Sequence, residues 1–326
     1  MDSFLVSVII VNFNSKDKLG LCVRSLINAE LNLEIIVVDN ASSDTSISEL
    51  SKEFSSHSNI LLLQNQENMG FAKACNRGAE LATGDYLLFL NPDSAIHKQG
   101  IPELVDCLAS GQRRGMAGGC ILNSDGSEQV GARRLVPTPW RSLVRVCHLS
   151  FLSRISPRLF TDFNLHHQPL PKQPIEVEAI SGACMMVSRE AYEDVGGLDE
   201  GYFLHCEDLD WCMNFRQKNW KVMFVPDAKI PHFQGACSRS RRIFVEWHKH
   251  KGMMRFYRKY FRHQYPGILM WIVTCAVWFR FGLLFCYFSV RRFLNYLKNF
   301  FRQTEINTQD LKSTNVETQE NISKQS

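Results

Sequence analysis

Within its first 93 residues the chain repeats one pattern four times: a short apolar, β-rich run that ends in a cluster of polar residues. Phe4 to Val11 leads into Asn12-Phe-Asn-Ser15, Glu34 to Val38 into Asp39 to Asp44, Ile60 to Leu63 into Asn65 to Asn68, and Asp85 to Leu90 into Asn91-Pro-Asp93. Between these runs the periodicity is helical. Leu19, Cys22, Val23, Leu26 and Ile27 fall at i, i+3, i+4, i+7 and i+8, with Ser15 placed to cap them. Ile47, Leu50 and Phe54 mark a second helix, and Phe71, Ala74, Cys75 and Gly78 a third. Strands alternating with helices at this spacing form right-handed βαβ units and a parallel sheet. The polar clusters then collect along the carboxyl edge, where ligands of open α/β sheets bind. A nucleotide suits such a crevice. Asp39 can accept from a base or ribose group, and Asp93 can hold a divalent cation between phosphates. Asn91-Pro-Asp93 taken alone reads equally well as a turn capped by Asp93.

The 326 residues are enough for a full core, with 45% hydrophobic and 21% charged residues, the composition of an ordinary globular protein. No GxGxxG follows the first strand and no GxxxxGK[ST] occurs, which makes dinucleotide oxidoreductases and P-loop NTPases poor readings. Eleven scattered cysteines without a CxxC pair, behind an N-terminus with no signal-peptide layout, predict reduced thiols in the cytoplasm.

Between about 111 and 174 the periodicity weakens. Gly118 to Leu122 reads as a strand, and Arg133-Arg134 with Pro137-Thr-Pro139 as loop. Such a long excursion suits a lid or acceptor-side segment, while Arg133, Arg134, His166 and His167 each read individually as surface. A second ordered block follows. Ile180 to Val187 is a strand, Ser188 a helix cap and Gly196-Gly197 a helix stop. His205-Cys-Glu-Asp-Leu-Asp-Trp211 then places three acids in four residues, which helix-end electrostatics alone would accommodate. Lys221 to Val225 is a further strand that runs toward His232, a residue type more often structural than ligating when it stands alone.

Val37 to Asp44, Asn68 to Gly78 and Leu87 to Asp93, in that order, resemble the nucleotide-sugar motifs of family 2 glycosyltransferases, closest to the rhamnosyltransferase-like branch. The resemblance covers roughly residues 4 to 240. It implies a GT-A fold, an α/β domain on a mixed, mainly parallel sheet, occupying residues 1–240. It places the donor against Val11, Asn12, Asn14 and Asp39 from the first two strand ends, and against Asn68, Gly70, Lys73 and Asn76 from the third crossover. Asn91 and Gly182 complete that set. Asn91-Pro-Asp93 stands where the family has Asp-x-Asp, so Asp93 is the implied ligand of a divalent Mg or Mn, with His232 beside it. Glu207-Asp208 is similar to the family's Glu-Asp motif, which makes Asp208 the general base and Glu207 its neighbour. An inverting transfer needs one such carboxylate and a stabilised diphosphate leaving group, and no covalent intermediate.

From Arg239 to Arg302 there are fourteen Lys and Arg against one acid, Glu246. This asymmetry points to an anionic partner. Pro266 to Phe288 is apolar except for Arg280, long enough to span a bilayer, and flanked by Arg, Lys, Trp and Tyr. A spanning helix, a re-entrant or interfacial pair of helices, and a buried helix or homodimer interface all fit. Attachment to the cytoplasmic face of the cell membrane through residues 241–302 is the expectation, with a re-entrant or interfacial form slightly preferred. The apolar partners are too continuous for a nucleic-acid-binding face. Residues 303–326, rich in Gln, Asn, Ser, Thr and Glu, read as disordered.

Together these readings imply transfer of a sugar, L-rhamnose from dTDP-L-rhamnose by the resemblance, to a lipid-linked saccharide of a surface polysaccharide. Transfer of a galactosyl, glucosyl or galactofuranosyl group, or nucleotide-sugar binding without catalysis, are the alternatives.

Overall fold

Seven consecutive buried residues, Val6–Asn12, form the central strand β1. A strand buried along its whole length must be covered on both faces, which is what parallel β-helix-β crossovers accomplish. α1 (Lys18–Ile27) returns the chain to β2 (Leu33–Asp39), α2 (Ser46–Glu53) to β3 (Ile60–Gln64), and α3 (Phe71–Ala79) to β4 (Tyr86–Leu90). β1 pairs in parallel with β2 from Val6↔Leu33 to Asn12↔Asp39, and with β4 from Val6↔Tyr86 to Ile10↔Leu90. The register thus aligns Asn12 with Asp39 and brings the polar strand ends to one edge. The structure, a computed structural model, describes residues 4–146, 149–160, 162–233 and 241–323.

After α4 (Gly100–Ala109) the sheet continues with β5 (Arg114–Leu122). The excursion that follows is more ordered than its sequence implies. Arg133–Arg134 form β6, followed by α5 (Pro139–Val146), a 3₁₀ helix (Leu149–Arg154) and α6 (Pro157–Phe160). β7 (Ile175–Glu176), β8 (Ala179–Ile180) and β9 (Cys184–Ser188) precede α7 (Arg189–Val195), α8 (Glu207–Gln217) and β10 (Lys221–Pro231). The strand expected over 180–187 is broken at Ser181-Gly182-Ala183: its first part pairs with β6 and its second runs antiparallel to β4 and β5. The main sheet has the order β3-β2-β1-β4-β9-β5-β10-β7, mixed and mainly parallel as expected. Ser188 caps α7 by accepting from the Ala191 N–H, and Gly196 ends it at φ +86°. Ser15 is not the cap of α1. Asp17 holds that position without a side-chain bond, and the Ser15 hydroxyl donates to the Asn12 side chain instead.

The chain divides into two units, Met1–Thr274 and Cys275–Ser326. The first therefore extends past the boundary expected near 240, because α9 (Arg242–Tyr260) buries Met254, Phe256, Tyr257 and Tyr260 in it. Full burial of such side chains contributes about 1.5–3 kcal/mol each, more than the roughly 0–1 kcal/mol of exposed ion pairs, so packing and not the basic residues decides where α9 lies. α10 runs unbroken from Gly267 to Ser323, so the apolar segment is one helix and not a re-entrant pair, and the polar tail is helical to Ser323 where disorder was expected. No proline follows Pro266 and no glycine follows Gly282. Once nucleated, a helix gains one hydrogen bond per residue until such a breaker ends it.

Candidate active site

At the β1 and β2 ends, four side chains close a network. The fully buried Asn12 donates to Asp39 Oδ1 at 2.9 Å, to Ser42 Oγ at 3.0 Å and to Ser46 Oγ at 2.9 Å. Ser42 returns hydrogen bonds from its hydroxyl and backbone N–H to the two Asp39 oxygens, at 2.6 and 3.1 Å. Asn14, at φ +53°, accepts from the Ser43 and Asp44 N–H groups and so pins the loop after β2. Val11 is buried within β1 and offers a ligand only its backbone. Next to this network, Asn40 donates to the Gly70 carbonyl at 3.0 Å and accepts from Asn65, which in turn accepts from Arg77.

Gly70 has a steric reason to be glycine. Its φ is +89°, and a Cβ there would lie 2.7 Å from the Phe203 carbonyl oxygen. Asn68 accepts from the Gly70 N–H at 3.0 Å in an Asx turn that enters α3. Lys73 is exposed on that helix. Asn76 donates to the Leu198 carbonyl and accepts from the Leu198 N–H, both at 2.8 Å. It therefore clamps the 197–200 loop.

Asp93 and His232 meet as expected. β10 crosses the sheet so that His232 forms a bridge with Ser94, and its Nε2 lies 3.1 Å from Asp93 Oδ1, with both side chains 9% exposed. The partner that sequence reasoning missed is Gln129. Its amide nitrogen donates to Asn123 Oδ1 at 3.1 Å, which turns Oε1 toward His232 Nδ1 at 2.8 Å. Nδ1 therefore faces an acceptor, which holds the ring from behind. Asn91 Nδ2 stands 3.5 Å from Nε2. Nε2 and the Asp93 carboxylate thus face one another, an imidazole nitrogen and a carboxylate oxygen of the kind that ligate divalent cations.

The second carboxylate centre lies at the start of α8. His205 (φ +67°) and Cys206 (φ +72°) are consecutive left-handed residues, each costing about 1–3 kcal/mol, which aim the first turn of the helix. α9 braces them. A Cβ on Gly252 would lie 2.8 Å from the His205 carbonyl oxygen, and Lys259 donates to the fully buried Asp210 at 2.7 Å. Asp208 Oδ2 accepts from the Gly182 N–H at 3.1 Å and from Arg134, and Oδ1 accepts from the Leu209 N–H at 2.8 Å. Arg134 is therefore part of the site, against its surface reading. Arg133 is buried as well, paired with Glu128. Glu207 is buried beside Asp208, and its Oε2 has no hydrogen-bond partner among the described residues. Burial, and then the Asp208 charge, push the Glu207 carboxyl up to about 8. One of two adjacent acids thus holds a proton at neutral pH. His205, read as structural, lies on the exposed turn before them.

The two centres are joined through the break between β8 and β9. The Asn91 N–H donates to the Ala183 carbonyl at 3.0 Å, one residue from the Gly182 N–H that holds Asp208. A ligand along the strand ends thus has Asp39, then Asp93 and His232, and then Asp208 within one connected edge. The family model described as Glycosyl transferase family 2 matches residues 7–196, more than half of the chain. The chain belongs to glycosyltransferase family 2.

Within this family it is rhamnosyltransferase-like. It is 28% identical over 211 residues to the N-acetylglucosaminyl-diphospho-decaprenol L-rhamnosyltransferase of Mycobacterium tuberculosis, covering 61% of this chain and 66% of that protein, just under two thirds. It is 24% identical over 258 residues to the dTDP-rhamnosyl transferase RfbF of Shigella flexneri, covering 78% of this chain and 77% of that one. Among solved structures it is similar to GalNAc-T7 with UDP, GalNAc and Mn²⁺, at a TM-score of 0.57 and 18% identity over 79% of this chain and 48% of that chain. The fold is accordingly of GT-A type, and this glycosyltransferase is an enzyme. The family match ends at 196, so the helix carrying Glu207 and Asp208 lies beyond it.

A divalent metal fits the Asp93–His232 pair by the chemistry of its donors, one carboxylate and one imidazole whose ring is held from behind by Gln129. Among the described residues no third His, Cys, Asp or Glu joins them. The remaining positions suit water and the oxygens of a bound diphosphate, as is usual for such cations. Elsewhere in the glycosyltransferase, Gly267–Asn295 is long and apolar enough to cross a membrane, about 43 Å at the helical rise. Ile268, Trp271 and Phe279 on it are mostly exposed.

Proposed function

We propose that this glycosyltransferase moves L-rhamnose from dTDP-L-rhamnose to a lipid-linked saccharide by a single inverting displacement. The observation that carries the reading is the connection of two carboxylate centres through Asn91–Ala183 and Gly182–Asp208, one suited to a diphosphate and one to a hydroxyl. Asp39 and the Asn12 network hold the nucleoside, and the donor diphosphate lies toward Asp93 and His232. A divalent cation held there would supply charge neutralisation for the leaving diphosphate. Asp208 takes the acceptor hydroxyl proton as the acceptor oxygen bonds to the anomeric carbon. The bond from that carbon to the diphosphate oxygen breaks, and its electron pair leaves with the diphosphate.

The choice of rhamnose is supported by two relatives whose names specify rhamnosyl transfer. The lipid-linked acceptor is supported by the first of these and by the exposed apolar helix over Gly267–Asn295, which would hold the enzyme at the cytoplasmic face of the membrane where such acceptors concentrate. The test is a panel of nucleotide sugars with Mn²⁺ or Mg²⁺, read as nucleotide release by wild type and Asp93→Ala. Metal-dependent turnover of dTDP-L-rhamnose alone, lost in Asp93→Ala, is the expected result. Turnover of a different donor would transfer the reading to that sugar, and binding of no donor would end it. Vesicle flotation that survives high salt is expected for the apolar helix, whereas release by salt would leave only charge attraction.

A further inference from the structure

We propose that Arg134 is the positioning residue of the transfer, holding Asp208 so that Oδ1 and not Oδ2 receives the acceptor proton; this rests on the assignment of Asp208 as base. The two oxygens are not equivalent. Oδ2 accepts from both Arg134 Nη2 and the Gly182 N–H, which fills its two lone-pair directions. Among the described residues Oδ1 accepts only from the Leu209 N–H and keeps one direction open. A hydroxyl that approaches Asp208 therefore finds a single acceptor atom already oriented.

Arg134 is itself fixed from several sides. β6 pairs with β8 through Arg134↔Ala179 and Arg133↔Ile180, and the Ser181 N–H donates to the Ala132 carbonyl at 3.2 Å. Arg133, 3% exposed, anchors the same strand through Glu128 and the carbonyls of Gln168 and Pro169. The Arg134 Nη2 that meets Asp208 also donates to the Ile180 carbonyl at 3.1 Å. The guanidinium is thus the end of a braced platform and not a free surface cation. Its contact with Asp208 is through one nitrogen, and its buried Nε has no hydrogen-bond partner among the described residues. A lysine ammonium can reproduce a one-nitrogen contact, although it could not replace a bidentate one.

Glu207 gives the arrangement its purpose. It lies beside Asp208, buried, and among the described residues its Oε2 has no hydrogen-bond partner, whereas Asp208 is held by Arg134. The Arg134 contact thus distinguishes two neighbouring acids, one pinned at Oδ2 and the other raised by burial.

The experiment uses the full chain with Mn²⁺, dTDP-L-rhamnose and a synthetic N-acetylglucosaminyl diphospho-lipid, alongside donor hydrolysis by water. Arg134→Gln is expected to lower kcat about 100-fold, the cost of misplacing a reacting group by about an ångström. Its donor Kd and acceptor KM should remain within about twofold of wild type, since the residue touches neither substrate in this arrangement. Arg134→Lys should recover at least about a tenth of wild-type kcat, which also shows that the fold tolerates the position. In the Asp208→Asn background, Arg134→Gln should add no further loss. Wild-type kcat in Arg134→Gln, a loss confined to acceptor KM, or a loss that adds fully to that of Asp208→Asn would each overturn the positioning role. Asp208→Asn with wild-type turnover would instead overturn the base assignment beneath it, an outcome separate from all of these.

Discussion

The Asp93 corner and the Asp208 corner each set a carboxylate at the end of a regular element, yet they are built oppositely. Asp93 faces an imidazole whose far nitrogen is held by Gln129, an amide without charge. Asp208 faces a guanidinium and a second carboxyl. The first corner sets a carboxylate oxygen and an imidazole nitrogen side by side with no guanidinium or ammonium in hydrogen-bond contact among the described residues, a donor set suited to a cation. The second is already compensated by Arg134 and holds its proton on Glu207, an arrangement that awaits a neutral hydroxyl. In the proposed mechanism, charged partners, more than residue type, separate the leaving-group site from the base.

Four changes should break or sharpen this contrast. The largest effect is expected from Asp208→Asn, which should cut transfer by about 10²–10⁴-fold, the usual worth of a general base, with donor affinity unchanged by titration. Asp93→Ala should show the complementary pattern, loss of metal-dependent donor binding. If both variants lose donor binding equally, the two corners are not distinct.

A smaller effect is expected from Gln129→Leu. Removing the acceptor behind His232 frees the ring to rotate and to change tautomer, and such outer partners are worth about 10–100-fold in metal affinity. Half-saturating Mn²⁺ should rise by that factor while activity at saturating Mn²⁺ returns toward wild type. An unchanged Mn²⁺ requirement would remove His232 from the ligand set.

The smallest effect concerns stability and Glu207. Burial and the Asp208 charge raise its carboxyl from 4.5 to about 8 in the folded chain. Between those values the folded state holds a proton that the unfolded state lacks, so stability from this group is full below pH 4.5 and lost as pH rises through about 8. Urea midpoints of wild type should fall from pH 5 toward pH 9, and Glu207→Gln, which cannot titrate, should flatten that decline. A decline equal in both proteins would place its origin elsewhere.

How far each corner could be read in advance follows from sequence distance. Asp93 was legible because an apolar run that stops at Asn-Pro-Asp is a local signal. His232 was placed beside it through the family resemblance, and the pairing spans 139 residues. Gln129 carried no signal, since an isolated Gln in a Gly- and Ser-rich turn has no periodicity to locate it. Arg134 was read as surface because two arginines beside prolines look like a solvated loop, and only pairing with β8 brings both against carboxylate partners. Asn76 was legible only as part of the third motif; its bonds to Leu198, which tie the 197–200 loop to α3, span 122 residues and had no local signal.

The sequence by itself determined the alternation of strands and helices, the parallel first half and the gathering of Asn12, Asp39, Asn91 and Asp93 at one edge. Those outcomes depend on period, apolar runs and turn residues, all of which act between near neighbours. Only the tertiary structure decided that β9 would run antiparallel between β4 and β5, that α9 would brace the His205–Cys206 turn, and that Arg134 and Gln129 would stand behind the two carboxylates. Each of these is a contact between segments far apart in the chain. Its free energy comes from burial and hydrogen bonds that exist only once the sheet has closed, and no local pattern can encode a partner it does not touch.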